Sequence, residues 1–379
     1  MAQDQHNYIY YGTRCDSSEV ERFLLHSIET NERAEEAGQP KTPVCIWGQH
    51  GIGKTQLVEQ VAAKRGYKFA YIAPAQFEEM GDLVGMPRIE TLEDGTTTTV
   101  FVPPDWAPRE EGPGILLIDD VNRADDRILR GIMQLLQNYE LVSWSLPKRW
   151  QIILTANPDG GDYSVTPLDF AMLTRMMHIT MVFDQNRWAL WAEQNHVDPR
   201  GINFVLTYPE TVTGERTTPR TLTQFFESIR SIEDLQEEVG LVKMLGDACL
   251  DEMTVTSFIS FVGNRLSRLI APEEILETDD FPVEILEPLK RQVVGETRRV
   301  DILSVICTRL TNFLLVNNVP LEGKQMDNMR QFLQLDFLTN ELRLQMAKDL
   351  ASSSNPTHKA VIQIPEVAMV LLNSGGSWF

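Results

Sequence analysis

The stretch Gly48-Gln49-His50-Gly51-Ile52-Gly53-Lys54-Thr55 sets three glycines, a lysine and a hydroxyl at the spacing GxxxxGK[ST]. Glycines in such a loop let backbone N–H groups curl around phosphate oxygens, and a helix opening behind them adds the partial positive charge of its N-terminus. Leu57, Val58 and Val61 give that helix an apolar face, and Val44–Trp47 supplies a strand in front of the loop. Lys54 is placed to reach the β- and γ-phosphates of a nucleotide, and Thr55 to ligate magnesium. The nucleotide-contacting stretch is read as Gly48 to Gln56, so ATP and Mg2+ are the expected small molecules. His50 stands at a variable position of the loop and is read as a bystander to the chemistry.

Two further runs end in polar groups. Ile115-Leu116-Leu117-Ile118 leads into Asp119-Asp120, which places carboxylates at the carboxyl edge of a sheet, beside the phosphate loop. Asp119 is the expected metal-side acid, acting through water, and Asp120 the group that polarises the attacking water. The alternative for such a pair is a solvated strand end. Ile152-Ile153-Leu154-Thr155-Ala156 ends in Asn157-Pro158, whose amide could reach the same water or the γ-phosphate, although an Asn before Pro is also an ordinary turn residue.

Elements must hold these groups together. Apolar runs at Val44–Trp47, Phe69–Ile72, Ile115–Ile118, Ile152–Thr155 and Ile179–Val182 alternate with helical stretches at Thr55–Lys64, Asp126–Asn138 and Asp169–Met176. Fully apolar strands separated by helices predict an α/β fold: a parallel sheet sandwiched by helices. Ahead of it, Ser18-Glu19-Val20-Glu21 has capping-box spacing and predicts a helix ending near Gly38. Arg88–Pro103 reads as a hairpin turning at Asp94-Gly95, and Leu141–Trp150 as a second loop or hairpin. After Phe183 helical periodicity takes over, clearest at Asn186–Gln194, Pro219–Ile229 and Leu235–Leu250, then at Val300–Asn317 and Met326–Leu350, with a frayed end at Gly375-Gly376. The expected division is a nucleotide-binding domain at 1–184, an all-α lid at 185–270 and a helical extension at 271–379.

Bulk properties narrow the partners. The 379 residues carry 34 basic and 54 acidic side chains, a formal charge of −20 that repels nucleic acid and anionic lipid at long range. Cys15, Cys45, Cys249 and Cys307 lie far apart without a CxxC pair, which suggests buried thiols in a reducing compartment. Met1 to Gly12 lacks the basic and apolar stretches of a signal peptide, and no run approaches the ~18 apolar residues of a membrane span. A cytoplasmic protein with no membrane partner is expected.

Taken in order, GQHGIGKT, ILLIDDVNRA, ILTANP, LTRM and TPRT resemble the motifs of the AAA+ superfamily, and within it the MoxR-like ATPases. Gly81-Asp82-Leu83-Val84-Gly85, Arg187-Trp188-Ala189-Leu190-Trp191-Ala192 and Thr218-Pro219-Arg220 resemble its stand-alone MoxR-like branch. The resemblance covers about residues 18 to 250. It implies that Asn157 is sensor 1, Arg175 an arginine finger offered to the neighbouring subunit's nucleotide, and Arg220 sensor 2. Each arginine also has a plainer reading, as a solvated helix tip or a helix-start residue. Arg123 is a second interface candidate, with a structural salt bridge as its alternative.

The resemblance further implies a homo-oligomeric, hexameric ring that remodels or activates a protein client, in this family often one bearing a von Willebrand factor A domain. The insertions at Arg88–Pro103 and Leu141–Trp150 resemble loops that face the pore or a partner. Trp144 and Trp150 could engage a client there or pack on the core. Two alternatives stay open: a nucleic-acid motor or loader, disfavoured by the acidic charge, and a slow nucleotide-gated assembly switch. The switch draws on one departure, since the family usually has Glu where Asp120 stands. The missing methylene withdraws the carboxylate by about an ångström, a displacement that can matter ~100-fold.

Overall fold

The computed structural model describes residues 9, 11–142, 144–158, 165–212, 214–264, 266, 269–294, 299–365 and 367–369; Gly375-Gly376 lie outside them. The chain divides into two compact units, Met1–Asp184 and Gln185–Phe379.

The strands of the first unit are β1 (Arg14–Cys15), β2 (Val44–Trp47), β3 (Lys68–Ile72), β4 (Met86–Thr91), β5 (Thr97–Val102), β6 (Gly114–Ile118), β7 (Trp150–Ala156) and β8 (Met177–Met181). Six form one sheet in the order β1-β8-β2-β7-β6-β3, with every neighbouring pair parallel. The helices are α1 (Ser17–Glu36), α2 (Lys54–Arg65), α3 (Met80–Val84), α4 (Asp126–Asn138) and α5 (Phe170–Leu173). Because both faces are covered, β6 is buried at every position: Ile115 and Leu117 join a core with residues of α1 and α2, while Leu116 and Ile118 join one with α4. Chain order reverses around β2, so the crevice beyond its carboxyl end is the place where such a sheet binds ligands.

Several boundaries differ from those read in the sequence. Helix α1 is capped by Asp16, whose carboxylate accepts from the backbone N–H groups of Ser18 and Glu19 while the Glu19 carboxylate accepts from the Asp16 N–H. The capping box is thus Asp16-x-x-Glu19, two residues before the Ser18 expected for it. Helix α5 is a single turn rather than the longer segment expected over 169–176. The hairpin β4–β5 pairs antiparallel from Met86 with Val102 to Thr91 with Thr97, turning through Asp94-Gly95. Trp144 and Trp150 are both buried, their indole N–H groups donating to the carbonyls of Leu83 and Glu110, so packing on the core prevails over client display.

Helices α6 (Gln185–Gln194), α7 (Pro199–Thr207), α8 (Pro219–Ile229), α9 (Val239–Cys249), α10 (Glu252–Gly263), α11 (Pro272–Glu277), α12 (Glu287–Val293), α13 (Val300–Asn317), α14 (Gly323–Leu333) and α15 (Asn340–Ala351) build the second unit. Phe204, Phe225, Phe226, Phe258 and Phe261 form its aromatic core, with edge-to-face contacts such as Phe225 on Phe258 at 4.9 Å. By length and mean composition α13 could cross a membrane, although Asp301, Arg309 and Asn312 interrupt it, so it is not a run of consecutive apolar residues. Here it lies against α6, α7 and α15. Its Arg309 is buried and paired at 2.6 Å with Glu193, and it donates to Asn203 Oδ1 at 2.8 Å.

Candidate active site

The loop between β2 and α2 has backbone demands that few side chains meet. A Cβ on Gly48 would lie 2.6 Å from the Met181 carbonyl oxygen and 2.8 Å from Ile52 Cδ1. Gly53, the N-cap of α2, holds φ +95°, where L-residues are strained, and it offers no side-chain acceptor to the first turn of the helix. Both glycines therefore allow the bare-backbone curl on which anion binding at a helix N-terminus depends.

Lys54 is buried, with its ammonium 2.7 Å from the Gly48 carbonyl, 2.9 Å from that of Gln49 and 3.2 Å from Asn157 Oδ1. The charge is therefore held over the loop. One residue on, Thr55 donates to Asp119 Oδ1 at 2.8 Å. A hydroxyl and a carboxylate converging in this way are hard oxygen donors of the kind magnesium prefers, so the residues present fit that ion.

Strand register explains what meets Asp119. Ile118 pairs with Leu154 across β6 and β7, so Thr155 comes next to the acids that follow β6. Its hydroxyl donates to Asp119 Oδ1 at 2.5 Å and accepts from the Asp120 N–H at 2.8 Å. From β3, the Tyr71 hydroxyl donates to Asp119 Oδ2 at 3.1 Å. Burial and then the Asp119 charge push the Tyr71 phenol up to about 12, so it stays a donor through the physiological range.

Asp120 adopts a left-handed backbone conformation with φ 48°, which costs a non-glycine residue about 1 kcal/mol or more. Its carboxylate accepts from Asn157 Nδ2 at 2.9 Å on Oδ1 and pairs with Arg123 Nε at 3.4 Å on Oδ2. The salt bridge weighed for Arg123 is thus present. Asn157 has no exposed surface and joins Lys54 on one side to Asp120 on the other. Asn122 clasps its backbone: Asn122 Nδ2 donates to the Asn157 carbonyl at 2.8 Å, and the Asn157 N–H donates to Asn122 Oδ1 at 3.1 Å.

The structure brings together Lys54, Thr55, Asp119, Asp120 and Asn157. Gln49, His50, Ile52 and Gln56 flank them on the loop and on the first turn of α2. Arg175 lies elsewhere on the first unit, just past α5, where Nε and Nη2 donate to Gln137 Oε1 at 3.3 and 3.2 Å and Nη1 donates to the Ala171 carbonyl. These partners are neutral, and among the described residues no carboxylate pairs with it. Arg220 is exposed on the first turn of α8, in the second unit, and the turn before it is fixed by Asp251, which accepts from the Thr217 N–H at 2.8 Å.

Sequence reasoning left out Thr155, Tyr71 and Asn122. A threonine or tyrosine in a strand reads as β-prone filler, and an asparagine after two acids reads as a turn residue. For Thr155 and Tyr71 the signal lies in register, which puts the ends of β7 and β3 beside the end of β6; for Asn122 it lies in its place within the DDVNRA stretch.

Residues 43–176 match the AAA domain (dynein-related subfamily). No curated protein sequence matches the chain significantly. Among solved structures, a single-site mutant of Thermotoga maritima RuvB is 13% identical over 71% of this chain and 77% of its own, with a TM-score of 0.39. The Thermotoga maritima RuvB Holliday junction branch migration motor is 14% identical over 71% of this chain and 76% of its own, with a TM-score of 0.38. Likenesses as loose as these carry no chemistry across. The glycine loop, the paired acids and the buried asparagine all fall inside the matched segment, and at residues 43–176 the chain carries an AAA domain, the ATP-hydrolysing module of the AAA+ ATPases.

Proposed function

We propose that the chain is a MoxR-like, magnesium-dependent ATPase that assembles into a homo-hexameric ring and uses nucleotide cycles to remodel or activate a protein client. The observation that carries this reading is one connected polar network, in which Thr55 and Thr155 share Asp119 while Asn157 links Lys54 to Asp120. Binding ATP would exchange the loop carbonyls on Lys54 for β- and γ-phosphate oxygens. Thr55 and, through water, Asp119 would hold magnesium, which when bound supplies charge neutralisation on those oxygens. Asp120 accepts the proton of the attacking water, and Asn157 orients that water or the γ-phosphate. Arg175 from a neighbouring subunit and Arg220 from the lid are the guanidinium groups for charge developing on the phosphoryl oxygens.

An acidic surface suits a protein client better than nucleic acid, and a von Willebrand factor A domain is the class the MoxR likeness suggests. Four free cysteines suit a cytoplasmic setting. The division into a lid at 185–270 and an extension at 271–379 belongs to the same reading. A protein-remodelling ring should release phosphate at rates that duplex or single-stranded DNA changes by less than about twofold at physiological salt. Stimulation by DNA of tenfold or more would replace this reading with a nucleic-acid motor.

A second reading, an assembly switch that seldom cleaves its nucleotide, is favoured by Asp120 itself. Both of its oxygens are engaged, by Asn157 and by Arg123, and the shorter side chain reaches less far than the family's usual Glu.

A further inference from the structure

Asp119 is engaged by hydroxyl donors from three elements: Thr55 from α2 and Thr155 from the end of β7, both on Oδ1, and Tyr71 from β3 on Oδ2. Only Thr155 also touches the second acid, through the Asp120 N–H. It has no exposed surface, so no water substitutes for it from bulk solvent. The left-handed backbone at Asp120 leaves an N–H whose acceptor is this hydroxyl.

We infer that Thr155 is a positioning residue that sets the metal-side acid and the water-polarising acid relative to each other through a single hydroxyl. The inference rests on the ATPase reading above. When the Thr55 hydroxyl turns to a cation, Asp119 loses one donor on Oδ1, and Thr155 is what still holds that oxygen in place. A hydroxyl has one proton to give and lone pairs to accept with, which is the pair of bonds used here. Valine keeps the branched shape at 155, yet it leaves the Asp120 N–H without its acceptor and Asp119 without its fixed donor. Partners that orient a ligating group usually matter 10- to 100-fold in metal affinity or activity.

The test uses the purified full chain and its Thr155→Val and Thr155→Ser variants, with a fluorescent ATP analogue as the probe. Nucleotide affinity in EDTA should agree within about twofold across the three proteins, because Lys54 and the glycine loop are untouched. The magnesium concentration that half-restores tight binding should rise about 10- to 100-fold in Thr155→Val and less than about threefold in Thr155→Ser, and phosphate release should fall in parallel. If the valine protein melts early, Thr155→Ala carries the same comparison.

Equal magnesium dependence in the hydroxyl-free variant and wild type overturns the assignment of Thr155, as does a serine variant as impaired as valine. A wild-type protein whose nucleotide binding ignores magnesium overturns the ATPase reading itself.

Discussion

Replacing Arg175 with alanine is expected to lower phosphate release by the assembled protein about 10³- to 10⁵-fold while nucleotide affinity stays within about twofold. Phosphoryl transfer leaves the protein little covalent work, so a guanidinium that meets the charge developing on the γ-phosphoryl oxygens carries much of the acceleration. Gln137 and the Ala171 carbonyl hold Arg175 on its own subunit without neutralising it, which leaves the charge to be spent elsewhere. A finger acting in trans has a sharper consequence. Mixing Arg175→Ala with Lys54→Ala subunits should recover part of the activity, because each inactive subunit supplies what its neighbour lacks. If Arg175→Ala retains wild-type turnover, the arginine is the solvated helix tip of the plainer reading; a loss of turnover that mixing does not recover would contradict its action in trans.

Asp120→Asn should lower turnover about 10²- to 10⁴-fold and leave nucleotide binding intact. The amide is nearly the same size and removes the basic oxygen that takes the proton, together with the half-exposed ion pair to Arg123, which is worth at most about 1 kcal/mol. It can still accept from Asn157 and keep the backbone turn, so a fall in rate reports chemistry rather than collapse. The assembly-switch reading makes the opposite prediction. There wild-type turnover is already negligible, and Asp120→Asn changes neither phosphate release nor the nucleotide dependence of assembly.

Much of this architecture was legible in sequence wherever one physical signal dominated. The strand Val44–Trp47 and the helices Asp126–Asn138, Pro219–Ile229 and Val300–Asn317 lie where periodicity placed them, each bounded by a glycine, a cap or a proline. Where two signals competed, the sequence did not choose. Asp16-x-x-Glu19 and Ser18-x-x-Glu21 both have capping-box spacing, and the structure uses the first. Helix α7 is hard to read because its buried positions, 201–205, form one short run, whereas α10 carries a helical repeat at Val255, Phe258 and Val262 that is not among the segments expected above. Lys54, Thr55, Asp119, Asp120 and Asn157 were recognised as types at the right spacing, and the sheet brings them together. Thr155 and Tyr71 are not legible in this way, because what sets them apart is the neighbour across the strand rather than the residue itself.

Whether the loop around Lys54 binds ATP for hydrolysis is read from phosphate release with Mg2+ and ATP by purified wild type beside Lys54→Ala. Lys54 stands over the loop carbonyls within reach of Asn157, so its loss removes the ammonium held at the site. Wild type should give steady, magnesium-dependent release and the variant none above background. Equal release by the two proteins, or none by either, would rule out ATP hydrolysis at this loop.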